Sequence, residues 1–229
     1  MIPAPHSWPH HRWLDADTVV VVDTLGDSRA ALTSDEIAST NEMTLQRCLE
    51  FSAGRRVGRL ALAALGEVAL VGIPIGVGGE PIWPQGVVGS ISHTARYAGA
   101  LVSKVSRHLS VGFDLDDGRP VGDVAAARLM TTAEIDAVIG KGWANTVANA
   151  QTVVFSAKEA VFKCQYPRTR LRDLDFDQVC LATAQNPDAL AANPSRDADA
   201  ELGIALSRIS IFSIDIQGVK ATLALMQPP

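Results

Sequence analysis

The sequence has no apolar run of membrane length, no paired-cysteine motif and no excess of basic charge, and each absence removes a class of function. Its most apolar stretch, Leu60 to Val77, is broken by Gly66, Glu67, Gly72, Pro74 and Gly76. A spanning helix needs ~20 consecutive apolar residues, so no membrane segment is expected. Three cysteines occur, Cys48, Cys164 and Cys180, with no C-x-x-C spacing. That fits a reducing cytoplasm, excludes a zinc ribbon and leaves buried filler as the expected role of each. With 20 Lys and Arg against 25 Asp and Glu, the formal charge is -5. A general nucleic-acid surface calls for the opposite sign, so no nucleic-acid partner is expected and any anion site must be a local cluster. Prolines at positions 3, 5 and 9 stand where an export signal would have its apolar core, so no export signal is read. His6, His10 and His11 lie in this proline-rich stretch, which gives them no defined ligand geometry.

What is present is a chain of 229 residues with 47% hydrophobic content, enough to bury one large core or two small ones. Two segments carry chemistry. Val111-Gly-Phe-Asp114-Leu-Asp116 places two carboxylates at i and i+2 after an apolar run, so an extended strand projects both to one side. Phe155-Ser-Ala-Lys158-Glu159-Ala-Val-Phe-Lys163 places Glu159 and Lys163 one helical turn apart, with Lys158 adjacent. If that helix docks on the strand end, Glu159 completes a three-carboxylate oxygen site beside two lysines. Magnesium carrying a pyrophosphate suits such a site, since carboxylates hold the metal and lysines offset the remaining phosphate charge. The bland readings are solvated turn aspartates and a surface i, i+4 ion pair.

Val19 to Val22 reads as a buried strand, and Thr33 with Glu36 as a capping box that starts a helix. A longer helix is expected from Leu45 to Leu65, and strand character from Ser90 to Val102. The second half repeats this order. Phe113-Asp114-Leu115 echoes Val22-Asp23-Thr24, Thr131 with Glu134 echoes Thr33 with Glu36, and Phe155-Ser-Ala echoes Phe51-Ser-Ala. The pattern suggests an α/β (α+β) fold of two similar subdomains, 1–108 and 109–229, related by pseudo-twofold symmetry, with chance similarity as the competing reading. After Phe-Ser-Ala the first copy carries Arg55 and Arg56 where the second carries Lys158 and Glu159. The first half thus reads as built for phosphate and the second for metal, with the ligand in a cleft between them. Asn186 to Asp199 reads as a mobile loop, and Gln217-Gly218 as the turn of a closing hairpin between Ile209–Ile216 and Val219–Met226.

Read together from Arg47 to Pro167, the segments around Arg55 and Arg59, Gly79-Glu80-Pro81-Ile-Trp83-Pro, Gly89-Ser-Ile-Ser92-His93, Asp114-Leu-Asp116 and Lys158-Glu159 resemble the 4′-phosphopantetheinyl transferases of the large, pseudo-dimeric kind. The resemblance implies the fold of that family. It also implies transfer of the phosphopantetheine arm of coenzyme A to a serine of an acyl or peptidyl carrier domain, with release of adenosine 3′,5′-bisphosphate. Polyketide, non-ribosomal peptide or siderophore synthesis would be the setting. Asp114, Asp116 and Glu159 then correspond to the Mg²⁺ ligands. Arg47, Arg55, Ser92 and His93 would hold the 3′-phosphate and adenosine end, Gly79-Glu80-Pro81 would line the nucleotide, and Lys158 and Lys163 would lie by the transferring phosphate. Guanidinium groups suit bidentate phosphate recognition, and a histidine bonds phosphate in either charge state. The chain departs from the family where Asp116 replaces the usual Glu, which leaves it to reach a metal through water or to shift it. Ile75 and Gly78 also stand where lysines are common. A monomer working in the cytoplasm is expected.

The chemistry expected is phosphoryl transfer by positioning and electrostatics, with Glu159 or a water it orients taking the serine proton. Two other readings stay open: a non-catalytic coenzyme A- or carrier-binding module with a degraded metal site, and a magnesium-dependent phosphatase with water as acceptor. Arg168, Arg170 and Arg172, in an extended segment after Pro167, would share one face and meet an acidic carrier, or else pair with Asp173 and Asp175.

Overall fold

The computed structural model describes residues 11–67, 71–116, 118–171, 174–195, 200–216 and 218–229. His6, His10, Arg172 and Asp173 lie outside them. The chain divides into two compact units, Met1–His108 and Leu109–Pro229. No helix among the described residues is long and apolar enough to cross a membrane.

In the first unit, strands β1 (His11–Asp15), β2 (Thr18–Thr24), β3 (Val87–His93) and β4 (Tyr97–Lys104) form one antiparallel sheet in the order β1-β2-β4-β3. The valine run from Val19 to Val22 is buried throughout, as suits a strand with β-branched residues and cover on both faces. Helix α1 (Ser34–Ala38) is brief; α2 (Leu45–Ala64) follows it, with Thr44 accepting the Arg47 amide as N-cap. Ala53, Val57, Ala61 and Leu62 of α2 recur at helical spacing and pack on Val19, Val21, Ala100 and Val102. Glycine lets α2 lie close. A Cβ at Gly54 would come 2.9 Å from an Ile91 methyl, and one at Gly58 would come 2.8 Å from Ile73.

The second unit starts with strand β5 (Ser110–Asp116) and helices α3 (Asp123–Leu129), α4 (Thr132–Gly140) and α5 (Val147–Thr169). Strands β6 (Val179–Thr183) and β7 (Leu190–Pro194), helix α6 (Ala200–Leu206), and strands β8 (Ile209–Ile216) and β9 (Val219–Met226) complete it. Its antiparallel sheet runs β5-β9-β8-β7-β6. In each unit the strand that precedes the helices, β2 or β5, pairs with the last strand, β4 or β9, while β1, α3, β6, β7 and α6 have no counterpart in the other unit. The β8–β9 hairpin turns between Ile216 and Val219, which pair directly.

Two expectations are corrected. The stretch from Asn186 is not one loop, because Leu190–Pro194 forms β7 and pairs with both β6 and β8. Leu190 and Ala192 alternate inward, a period hidden by the surrounding Asn, Asp, Pro and Ala. Nor is the chain extended after Pro167. Helix α5 continues through that proline to Thr169 and ends at Arg170, which adopts the left-handed conformation with φ 59°. Arg168 and Arg170 thus lie on a helix end and its cap and do not share a strand face.

Candidate active site

Alternate residues of β5 set the site of the second unit. Ser110 donates its hydroxyl to the Cys164 carbonyl at 2.6 Å. Gly112 meets α5 so closely that a Cβ there would sit on the Ala160 carbonyl oxygen and 2.7 Å from the Cys164 amide. Two residues on, Asp114 Oδ1 accepts from Lys163 Nζ at 2.7 Å, and that ammonium also reaches the Phe113 carbonyl at 3.2 Å. Two residues further, Asp116 Oδ2 accepts from the Thr152 hydroxyl at 2.9 Å, and its Oδ1 from the Gly118 amide at 2.7 Å. Val111, Phe113 and Leu115 on the opposite face are buried. The period of two therefore presents Asp114 and Asp116 to one helix, and the missing side chain at 112 brings that helix within reach.

Glu159 lies between Lys163 and Thr152 on α5. Burial pushes its carboxyl above the ordinary range; Lys163 pulls it back, and the Asp114 charge adds to the rise. Asp114, Asp116, Arg119, Val121, Thr152, Phe155 and Ser156 line an open cleft of about 410 Å³. Among the described residues, the buried Ser156 hydroxyl has no hydrogen-bond partner.

All three carboxylates suit a hard cation, and the raised Glu159 beside Asp114 is a like-charge pairing that a divalent ion would relieve. The donor set therefore fits magnesium chemically. It is not gathered into a ligand shell: among the described residues, no three His, Cys, Asp or Glu side chains are so arranged. Lys163 holds Asp114, while Thr152 and Gly118 hold Asp116.

Lys158 departs from the expected role. Its side chain is 3% exposed, and its Nζ contacts Glu134 Oε1 at 2.9 Å and donates to the Leu129 and Phe176 carbonyls at 2.6 and 3.0 Å. Consecutive residues of a helix point in directions about 100° apart, so Lys158 faces away from the cluster its neighbour Glu159 joins.

In the first unit, an Arg47 guanidinium nitrogen lies 3.1 Å from His93 Nε2. Glu50 lies 3.5 Å from Arg47 and 3.6 Å from His93. Burial pushes the Glu50 carboxyl up, but the Gln46 hydrogen bond, His93 and Arg47 together hold it below its ordinary value. Ser92, next to His93 on β3, is buried. Arg55 is buried with its guanidinium carbon 4.3 Å above the Phe51 ring. Desolvation lowers its pKa to about 10, with Glu36 opposing and Arg47 and Arg59 adding to the fall. Its Nε has no hydrogen-bond partner among the described residues, an orphaned buried donor of the kind an anion satisfies. Gly79 has φ +86°, and the Gly79-Glu80-Pro81 turn is closed by an Ile75–Pro81 bridge, with the Gly78 amide on Glu80 Oε2 at 2.8 Å. Arg59 and Arg56 are spent on the fold: Arg59 on Glu36, Arg56 on Asp23 and Ser28.

Thr152 belongs to none of the sequence motifs, and Phe51 and Glu134 figure in them only as parts of the repeat. Thr152 stands seven residues, two helical turns, before Glu159, so a reading of the α5 face alone would have found it. Glu134 was noted only as a helix cap, and nothing in the sequence says that a cap carboxylate also receives Lys158.

Comparison with known proteins bears on the same residues. Residues 35–103 match the 4′-phosphopantetheinyl transferase N-terminal domain, and residues 110–211 match the 4′-phosphopantetheinyl transferase superfamily. The 4′-phosphopantetheinyl transferase Svp of Streptomyces mobaraensis is 35% identical over 167 residues, 73% of this chain and 66% of that protein. The 4′-phosphopantetheinyl transferase PptT of Mycobacterium tuberculosis is 36% identical over 133 residues, 57% of this chain and 56% of that one. Enterobactin synthase component D of Escherichia coli is 34% identical over 140 residues, covering 58% and 62%. The chain spans about three fifths of the length of these relatives. With both units matched in order and the matched stretches containing the Arg55 and the Asp114–Lys163 clusters, this chain belongs to the 4′-phosphopantetheinyl transferase family.

Proposed function

We propose that this chain, a monomer of the large two-subdomain kind acting in the cytoplasm, transfers the phosphopantetheine arm of coenzyme A to a serine of acyl or peptidyl carrier domains. Secondary metabolism or siderophore assembly is the setting. The observation that carries the reading is the meeting of Asp114, Glu159 and Lys163 where α5 crosses β5. The serine oxygen attacks the β-phosphorus of coenzyme A, the bond to the bridging oxygen breaks, and adenosine 3′,5′-bisphosphate leaves. Glu159, or a water it orients, takes the serine proton. Lys163 offsets charge on the transferring phosphate. Arg47, Arg55, Ser92 and His93 hold the 3′-phosphate and adenosine end, with Gly79-Glu80-Pro81 along the nucleotide.

Asp114, Asp116 and Glu159 would hold Mg²⁺. Bound there, the ion would neutralise pyrophosphate charge. The reading is tested by incubating the protein with coenzyme A, magnesium and several apo-carrier domains. A mass gain of one phosphopantetheine on the carrier, matched by released adenosine 3′,5′-bisphosphate, is expected. Nucleotide product with no carrier gain would make water the acceptor, and no product with any carrier would remove the transferase reading.

A further inference from the structure

We infer that Lys158 is a positioning residue, the α5 half of a buried staple with Glu134 that sets where its neighbour Glu159 points. The inference rests on the proposed transfer for its kinetic arm only. An ammonium has three protons, and all three of Lys158 are used by Glu134 Oε1, the Leu129 carbonyl and the Phe176 carbonyl. Glu134 is equally saturated. Its Oε1 also accepts the Leu181 amide at 3.0 Å, and its Oε2 accepts the Thr131 amide and hydroxyl at 2.8 and 3.0 Å. One pair thus ties α5 to the start of α4, to β6 and to the segment ahead of β6. With Lys158 fixed, the side chain one position on is fixed in direction, because the helix allows only one rotation per residue.

The first unit contains the same device with a different cation. Glu36 accepts the Thr33 amide on Oε2 and the Ile73 amide on Oε1, and Arg59 of α2 donates to both oxygens and to the Ala31 carbonyl. Ala31 and Leu129 each lie two residues before the helix cap, Thr33 and Thr131. A buried carboxylate in a capping position, a backbone amide distant in the chain, a cation from the long helix and the carbonyl two residues before the cap recur in both units. Arg59 has no reacting neighbour assigned to it, so this arrangement exists in the chain for structure alone.

The test compares wild type, Lys158→Met and Glu134→Gln with Lys158→Met. The single variant leaves Glu134 buried without its cation, and its melting temperature should fall by roughly 10 °C. That loss should shrink from about pH 8 to about pH 5.5, because an unpaired buried carboxylate takes up a proton. At a temperature where every variant is folded, kcat should fall in Lys158→Met with the KM for coenzyme A unchanged. In the double variant, which removes both charges and keeps the amide acceptor, melting temperature should recover and kcat should return to within about tenfold of wild type. A double variant that regains stability but keeps the low kcat of Lys158→Met would put Lys158 on the substrate and overturn the inference. A double variant that does not regain stability, or a pH-independent loss in the single one, would overturn it as well. Wild type that modifies no carrier would sink the transferase reading instead, and the melting data would still decide the staple.

Discussion

The two units hold their long helices by the same buried pair but bring helix and sheet together from opposite sides. In the first unit the small residues are on the helix: Gly54 and Gly58 of α2 meet the side chains of Ile91 and Ile73. In the second the small residue is on the strand: Gly112 of β5 meets the backbone of α5. A side chain can shift and a helix backbone cannot, so the second contact is the less forgiving. It is also the one that places Asp114 against Lys163. The tighter contact lies beneath the Asp114–Lys163 pair.

Substituting Gly112 by alanine should have the largest effect. The new Cβ would overlap the Ala160 carbonyl, so the cost should exceed the ~1–3 kcal/mol usual for overpacking. Loss of soluble folded protein, read by circular dichroism, is expected. Gly54→Ala, whose Cβ meets only an Ile91 methyl and whose helix propensity improves by about 1 kcal/mol, should stay folded. Equal losses for the two would erase the distinction drawn between the contacts.

Next in size is Arg59→Met, which strands Glu36 in the core. About 3–5 kcal/mol of stability should be lost at neutral pH, measured by denaturant melts. In wild type, burial raises the Glu36 carboxyl, but the Ile73 and Thr33 amides and Arg59 hold it below its usual value. Its contribution is thus present at neutral pH and lost as pH falls through the lowered value. In the variant the sign reverses, and acid should restore stability. A loss with the wild-type pH dependence would mean that Glu36 is held by its amides alone.

Arg55→Ala separates ligand binding from folding. Coenzyme A should weaken by about 1.5–3 kcal/mol while dephospho-coenzyme A, lacking the 3′-phosphate, changes little in calorimetric titration. Parallel losses would place the guanidinium elsewhere on the ligand.

The smallest effect concerns His108, whose Nδ1 lies 2.9 Å from Ser103 Oγ and 3.4 Å from Thr18 Oγ1. Burial lowers its pKa, Arg107 adds to the fall and Asp15 opposes it. The unfolded chain therefore takes up this proton first, so stability should decline as pH drops below about 6.5 and level off below the lowered value. His108→Asn should flatten that part of the curve by up to about 1 kcal/mol, and an unchanged slope would assign it to carboxylates.

The sequence was enough for the parts governed by local rules. The period of two that puts Asp114 and Asp116 on one face, the 3.6-residue period of α2 and α5, the caps at Glu36 and Glu134, the β8–β9 turn and the family itself were all readable from residue order. Composition hid β7, and Pro167 suggested a stop that α5 does not make, because burial of Cys164, Gln165 and Tyr166 just before it carries the helix past one missing hydrogen bond. The Phe-Ser-Ala echo also misled. Phe51 precedes Arg59 by eight residues and Phe155 precedes Lys158 by three, so the two cations that share a role are out of register with the motif that seemed to align them. Which lysine meets Asp114 and which is buried on Glu134 depends on the rotation of α5 against β5. That rotation is fixed by contacts between residues distant in the chain, at Gly112, Ser110 and Leu181, so tertiary structure alone decided it.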